Sequence, residues 1–492
     1  MNWKLIWKSL ADADMRKKIF AVLGIIVVYR VLAHIPIPIS DPQNVRQVLE
    51  SLFTSSNTPQ FLSFLNALSG GALAKFSIML VALGPYINAS IIMQLLTRAI
   101  PRLETLNKEG EYGRKKINQM TRILTLPLAI VQSIGAIYIV KQQASQISGL
   151  DITAHSSPMQ WVLMVVALTG GSMILMWLGE LITEQNIGNG ISLLITVGIV
   201  STLPGMLSGL VGGVFSGSHK INFIGRQIPL DYHQLKIFAI VAILVILTIV
   251  IVVKLNEAAR KLTVHYAKRV QGNRTYGGVT TMLPVKLIGA GVVPIIFAVA
   301  FLSVPSFIGQ ILSTNASEKL QHLGTVLLQW FQTPSAQTFA TGDWHSYIYP
   351  VTYFILVFLF TFFYTNITFN AKEIAENLQK QGGFIADVRS GPQTEKYLSR
   401  VVNRLTLFGG IAIGILAVVP IAAEIFFGNN LAIGGTSVLI LVSVSLETLR
   451  KVESQALMVT YSRYDGGDFF QQVEQEEKKS RFPVKKFRRK KK

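Results

Sequence analysis

The sequence predicts an all-α membrane protein: ten transmembrane helices in two inverted five-helix halves, with a re-entrant half-helix and a cytosolic β-hairpin loop. Three observations carry that prediction. First, half of the 492 residues are hydrophobic and only 15% are charged, with a mean hydropathy of +0.44, which excludes soluble globular and disordered classes. Second, residues 61–96 (FLSFLNALSGGALAKFSIMLVALGPYINASIIMQLL) are overwhelmingly apolar yet broken at Ser69-Gly70-Gly71, at Lys75 and at Gly84-Pro85. One crossing needs roughly 20 apolar residues, and broken backbone at membrane depth is tolerated only inside protein or beside a water-filled cavity. The run therefore reads as a half-helix over 61–76 and a kinked full span from 77, around a path. Third, the basic residues fall mostly on one side of the predicted spans.

In chain order, apolar stretches of spanning length lie at 19–36, 77–96, 119–140, 159–181, 187–213, 235–253, 287–312, 347–369, 404–427 and 433–459. The first follows Lys17-Lys18, carries Arg30 and leads into Pro36 and Pro38 without a small-residue cleavage site, so no removable signal peptide is expected. Ten crossings place the termini and the loops after even-numbered spans together. Those segments hold 38 of the 46 Lys and Arg residues, so the positive-inside rule makes that side, with both termini, cytoplasmic. Most of the +20 net charge is thus orientation rather than a nucleic-acid signature. The Glu184-Gln185-Asn186 loop has no basic residue, but the rule acts on total bias. Gly205, Gly209 and Gly213, spaced by four, read as plain helix packing.

Two cytoplasmic loops exceed what connection requires. In 255–285, Leu262, Val264 and Tyr266 alternate with Lys261, Thr263 and His265; Gln271-Gly272-Asn273 turns the chain, and 274–282 supplies a second strand. In 371–402, residues 371–381 read as a helix closed by Gly382-Gly383, followed by a basic loop around Arg389 and a cap at Thr394. On the outer side, Leu320, Leu323, Leu327 and Trp330 share one face of a short surface helix. A division near residue 233 gives an N-terminal half (1–233) and a C-terminal half (234–462), with five spans each and hence opposite orientation. Residues 463–492 form a basic tail ending in KKFRRKKK, expected to be disordered.

Chemistry is sparse. The chain has no Walker-type glycine loop, no His-x-x-x-His pair, no Gly-x-Ser-x-Gly elbow and no cysteine. Glu180, Glu424 and Glu447 lie near span ends rather than at the midplane, where a coupled transporter needs ionisable groups. No enzyme activity, cofactor or metal is expected. A passive conduit driven by partners fits better.

At this point the residues carry a family resemblance. Ser69-Gly70-Gly71-Ala72-Leu73, Pro85-Tyr86-Ile87, Ala89-Ser90-Ile91-Ile92 and Gln94-Leu95-Leu96 are followed by Lys108-Glu109-Gly110-Glu111 and Gly113-Arg114-Lys115-Lys116-Ile117. Trp177-Leu178-Gly179-Glu180, Ile182-Thr183-Glu184, Ile187-Gly188-Asn189-Gly190-Ile191-Ser192, Tyr266-Ala267-Lys268-Arg269, Ala290-Gly291 with Pro294, Phe363-Tyr364 and Gly434-Gly435-Thr436-Ser437 come next, in order. From about Arg16 to Ser462 the chain resembles the bacterial SecY family, the protein-conducting channel of the Sec translocon. Three positions depart from the family pattern. Ala82 stands where the family has glycine, with Gly84 nearby as a displaced hinge. Asn186 replaces a glycine, as a cap for the next helix. Ile288 replaces a polar Asn.

The resemblance implies roles. A constriction ring maps to Leu83, Ile87, Ile191, Ile195, Ile296 and Ile440, where a narrow apolar neck dewets and blocks ions. The plug maps to Phe64, Leu65, Asn66, Ala67, Leu68, Ser69, Gly70, Gly71, Ala72, Leu73, Ala74 and Lys75. A lateral gate separates spans two and three from seven and eight, with Gln132 and Ile288 on it. Arg260, Lys261, Lys268, Arg269, Arg274 and Arg389 would dock the SecA motor ATPase or the ribosome. Small SecE-type and SecG-type subunits, signal peptides and preproteins are the remaining implied protein partners, and the KKFRRKKK tail suits anionic lipids or ribosomal RNA. The implied function is the pore-forming subunit of the Sec translocase in a bacterial plasma membrane. The rivals are a broken-helix secondary transporter and an insertase scaffold without a transverse pore.

Overall fold

The computed structural model describes residues 13–38, 66, 69–148, 157–215, 220–223, 226–229, 232–266, 269–271, 274–276, 278, 280–289, 291, 293–313, 317–331, 334, 344–427 and 435–465. The helices are α1 (Ala13–Leu32), α2 (Gly84–Ala99), α3 (Pro101–Lys108), α4 (Glu111–Ser148), α5 (Pro158–Glu184), α6 (Gly190–Val214) and α7 (Tyr232–Glu257). They continue with α8 (Val293–Leu312), α9 (Glu318–Phe331), α10 (Ile348–Thr368), α11 (Ala371–Lys380), α12 (Pro392–Phe427) and α13 (Gly435–Asp465). Every predicted apolar stretch overlaps one of these helices. Among the described residues, five helical stretches are long and apolar enough to cross a membrane: Glu111–Lys141, Pro158–Glu184, Phe238–Glu257, Trp344–Lys380 and Pro392–Ala423.

Two helices begin later than the hydropathy implies. The expected span at 77 is turns until Gly84, where Pro85 opens α2. Proline has no N–H to lose in a first turn, whereas the left-handed Ala82 (φ +49°) breaks any helix before it. Likewise α8 starts at Val293 rather than 287, because Leu287 still donates to the Ala258 carbonyl at 2.9 Å and Gly291 is left-handed (φ +62°). The half-helix expected over 61–76 is, in its described part beyond Asn66, a series of turns at residues 69–83. Gly70 and Gly71 (φ +69° and +83°) cannot sit in a right-handed helix.

Both large loops contribute to one sheet. Strand β3 (Ala259–Tyr266) pairs antiparallel with β6 (Thr280–Lys286), Thr263 opposite Met282, while β4 (Arg269–Gln271) and β5 (Arg274–Tyr276) form the tip hairpin. The unpredicted β7 (Gly383–Ile385) of the second loop adds to the other edge of β3, Val264 opposite Ile385. Leu262 and Val264 face inward, as their alternation requires, against Ala375 and Leu378 of α11 and Leu398 and Val402 of α12. The two loops are therefore a single folded module. Thr394 is not the helix cap expected of it: α12 starts at Pro392, and the Thr394 hydroxyl donates back to the Arg389 carbonyl at 3.0 Å. A further hairpin, β1 (Lys220–Phe223) with β2 (Arg226–Pro229), had no sequence signal.

Candidate functional site

The turn segment after Asn66 is fixed by short polar contacts. Its backbone folds on itself through Gly71 N–H to Asn66 O (2.8 Å), Ala74 N–H to Asn66 Oδ1 (3.0 Å) and Ser77 N–H to Ala72 O (2.9 Å). Helix α1 then holds it from outside: the Tyr29 hydroxyl donates to Ser69 O at 3.1 Å and Arg30 Nη1 to Gly70 O at 2.9 Å. From α6, Ser201 Oγ reaches the same Gly70 carbonyl at 3.3 Å. A Cβ on Gly70 would lie 2.8 Å from the Tyr29 oxygen and 3.1 Å from Gly198 Cα, so glycine is required by space as well as by φ. Lys75 meets His34 Nε2 at 2.5 Å, which removes the problem of an isolated charge in an apolar run. Phe64, Leu65, Ala67 and Leu68 lie outside the described residues.

Above this segment, the six mapped ring residues come from four helices and their caps. Leu83 and Ile87 belong to the start of α2, Ile191 and Ile195 to α6, Ile296 to α8 and Ile440 to α13. All except Ile191 are buried members of one apolar cluster, and Ile191 packs against it half-buried. Ala72, Met79 and Ala82 of the turn segment belong to the same cluster. The segment and the ring are thus in one continuous apolar contact.

The departures from the family pattern acquire physical form. Ala82 keeps the left-handed conformation that glycine would adopt without strain, and Ser172 Oγ clasps its carbonyl at 2.9 Å. Gly84 is the first residue of α2, where the turns give way to helix, and it makes room for Gln132, whose Oε1 would be 3.2 Å from an added Cβ. Asn186 also has positive φ (+57°), a region asparagine tolerates better than most residues. The cap of α6 is instead Asn189, whose Oδ1 accepts from the Ile191 and Ser192 amides. Ile288 precedes α8, packs beside Gly409 of α12 and belongs to the same buried apolar cluster as Leu83 and Ile87. Gly205 faces open space, with nothing within 4 Å of an added Cβ, so it makes no close helix contact.

Between α2/α4 and α8/α10 runs a seam with two marked contacts that sequence reasoning did not find. Arg98 in the last turn of α2 donates to the Asn366 carbonyl of α10 at 3.1 Å, one of the carbonyls a helix end leaves unpaired. Gly135 of α4 lies under the ring of Phe307 in α8, so close that an added Cβ would fall 1.7 Å from Cζ. Beside the seam, Arg122 of α4 grips Glu180 of α5 through two contacts of 2.8 and 2.7 Å. The anchors of the turn segment had one legible trace: Arg30 is an ionisable residue in an apolar stretch.

Of the basic loop residues, Arg260, Lys261 and Arg389 are exposed on the folded module. Arg269 and Arg274 have described backbone on the tip hairpin, and Lys268 lies outside the described residues. At the base of the module, burial, with Arg450 beside it, holds the Lys286 ammonium below its ordinary pKa.

The family model for SecY matches residues 77–449. The chain belongs to the SecY family. It is 40% identical over 463 residues to the protein translocase subunit SecY of Streptomyces galbus, covering 93% of this chain and 98% of that one. The SecY of Mycobacterium bovis is 38% identical over 464 residues, with the same coverage. In fold, the chain is similar to a SecY structure whose plug domain stabilises the closed translocation channel and maintains a membrane seal (TM-score 0.59, 19% identity, 88% of this chain and 92% of that). It is also similar to Sec61 in the canine ribosome–channel complex (TM-score 0.53, 16% identity, 88% and 92%). This SecY chain is a multi-pass membrane protein and a channel subunit of the protein translocase.

Proposed function

We propose that the apolar cluster formed by Leu83, Ile87, Ile191, Ile195, Ile296 and Ile440 is the neck of a transverse pore, and that residues 64–75 are its plug. The supporting observation is their common cluster with Ala72 and Met79 of the turn segment. An aliphatic neck dewets and blocks ions while yielding to a passing chain, and the plug turn closes it from one side. On this reading the chain makes ten crossings with both termini cytoplasmic, in a bacterial plasma membrane. The sheet-and-α11 module then stands in the cytosol and presents Arg260, Lys261 and Arg389 to the SecA motor or the ribosome. Lys268, Arg269 and Arg274 extend that surface at its tip. Small SecE-type and SecG-type subunits brace the channel from the lipid side. Signal peptides of preproteins leave sideways through the seam between α2/α4 and α8/α10.

The test is ion leak. Ile87→Gly with Ile191→Gly removes two branched side chains from the proposed neck, and reconstituted channels are expected to conduct ions well above the wild-type level. Unchanged conductance, with normal assembly, rules out the neck assignment and leaves the insertase scaffold in its place.

A further inference from the structure

A groove of about 680 Å³ opens between the end of α10 and the start of α12, and of its lining residues only Asn366 has been given a role above. Its α12 wall carries Lys396, Arg400 and Arg404, one above another at intervals of four, with Asn403 between them and Glu395 as the single acid. All three cations are exposed, and among the described residues none makes an ion pair. Three unpaired like charges on one helix face repel each other, so an anion is the missing counterpart.

The wall changes character one turn further along. Leu407 closes the groove, and Phe408, Ile411 and Ile415 continue the exposed face of α12. On α10 the same gradient runs the other way along the chain: Val351, Ile355 and Leu359 are exposed, then Phe362 and Asn366 line the groove. Two adjacent helices thus present matched stripes, basic and amide-rich at one end and aliphatic below. A nucleic-acid phosphate or an acidic protein would complement the upper half only. A molecule with an anionic head and two hydrocarbon tails complements both.

We propose that this groove is a binding site for an anionic phospholipid, its phosphate held by Lys396, Arg400 and Arg404 and its acyl chains laid along the α10 and α12 stripes. Basic clefts between helices at a membrane surface suit such headgroups. The proposal rests on α10 and α12 spanning the membrane, and is independent of the pore assignment. Because the carbonyl of Asn366, which lines the groove, accepts from Arg98 of α2, an occupied site shares a residue with a contact across the seam.

The experiment is native mass spectrometry of the translocase complex, extracted from vesicles of phosphatidylcholine with phosphatidylglycerol, with retained lipid counted. Each cation near an anionic lipid contributes about a factor of five, so Lys396→Gln/Arg400→Gln/Arg404→Gln is expected to lower phosphatidylglycerol retention roughly a hundredfold. Arg400→Lys/Arg404→Lys keeps the charge and is expected to retain the lipid, which separates lost binding from lost folding. Lys372→Gln, which alters an exposed cation of α11 outside the groove, is expected to leave phosphatidylglycerol retention unchanged. Equal retention by the triple variant overturns the proposal, as does equal retention of phosphatidylcholine by the unmodified protein. Displacement of the lipid by millimolar inorganic phosphate reassigns the site to a soluble anion. Loss of ribosome binding by the triple variant with lipid retention intact reassigns it to nucleic acid. Failure of the neck variants to leak ions leaves lipid retention unmoved, so the two readings fail separately.

Discussion

Gly70→Ala is the sharpest test of the proposed plug, because its cost is legible in the geometry of the turn segment. The residue sits at φ +69°, where an L side chain costs about 1–2 kcal/mol. Its added Cβ would also lie 3.1 Å from Gly198 Cα, a backbone atom with little freedom to give, and 3.0 Å from Arg30 Nη1. Relieving that crowding moves the Gly70 carbonyl off Arg30 and Ser201; a charge-assisted bond contributes about 1.5–3 kcal/mol. Combined without full additivity, the closed state loses roughly 3 kcal/mol, about a hundredfold in the open-to-closed ratio. Gly71→Ala is the internal control. Its φ is as unfavourable (+83°), but the nearest atom, Thr202 Cγ2, is 4.0 Å away, so only the backbone cost of about 1–2 kcal/mol applies. Planar-bilayer conductance of the purified channel reads the difference directly. Gly70→Ala is expected to leak strongly, and Gly71→Ala about tenfold less. Equal leak from the two variants would falsify the close-packing argument, and no leak from either removes the plug role.

Ala82→Gly should relieve strain at φ +49° and raise the thermal midpoint, with a gain of about 0.5–1 kcal/mol once the greater freedom of glycine in the unfolded chain is counted; a fall in midpoint contradicts the strain. Arg389→Glu reverses an exposed charge whose loop is pinned by Thr394, so SecA-driven translocation is expected to fall at least tenfold while assembly is unchanged; normal translocation disproves the docking role. Gly135→Ala forces Phe307 out of its seat and is expected to admit preproteins with weakened signals in a translocation assay, and Phe307→Ala, which deletes the ring, is expected to do the same. Wild-type discrimination by both variants shows that the seam does not close on this ring.

The helices and the strand hairpin of the first large loop were legible in the sequence because hydropathy and strand alternation act locally; the joining of the two loops into one module was not. Leu262 and Val264 declared their inward face by period alone, and the module's partner strand at Gly383–Ile385 did not, because three residues carry no period. Helix starts were misplaced at α2 and α8 for a related reason. Hydropathy measures where a segment resides, whereas the backbone obeys Pro85, Pro294 and left-handed residues such as Ala82. The proposed ring was invisible to composition: an isoleucine facing a pore and one facing lipid are the same letter, and the family pattern alone suggests which is which. Long-range contacts left the faintest traces. Phe307 and Gly135 are ordinary residues until two helices place one over the other.

The seam contacts also bear on how a signal could open the channel. On the proposed reading, closure relies on an exposed charge-assisted bond from Arg98 to the end of α10, worth about 1 kcal/mol after competition with water. It relies equally on the Phe307 ring over Gly135, half-buried, and so worth less than the roughly 1.5–3 kcal/mol of full apolar burial. The two lie at opposite ends of α8 and α10, so parting one does not strain the other by leverage alone. A segment of ten apolar residues gains up to about 0.5 kcal/mol each on reaching hydrocarbon, several kcal/mol in all. That matches the cost of breaking both contacts, whereas a polar segment offers no such gain. A seam whose marked polar and aromatic contacts are this weak therefore discriminates by hydrophobicity: the closing energy sets the threshold, and the segment's own transfer energy must exceed it. Strengthening either contact should raise the hydrophobicity a signal requires, and weakening either should lower it, without any change to the ring that blocks ions.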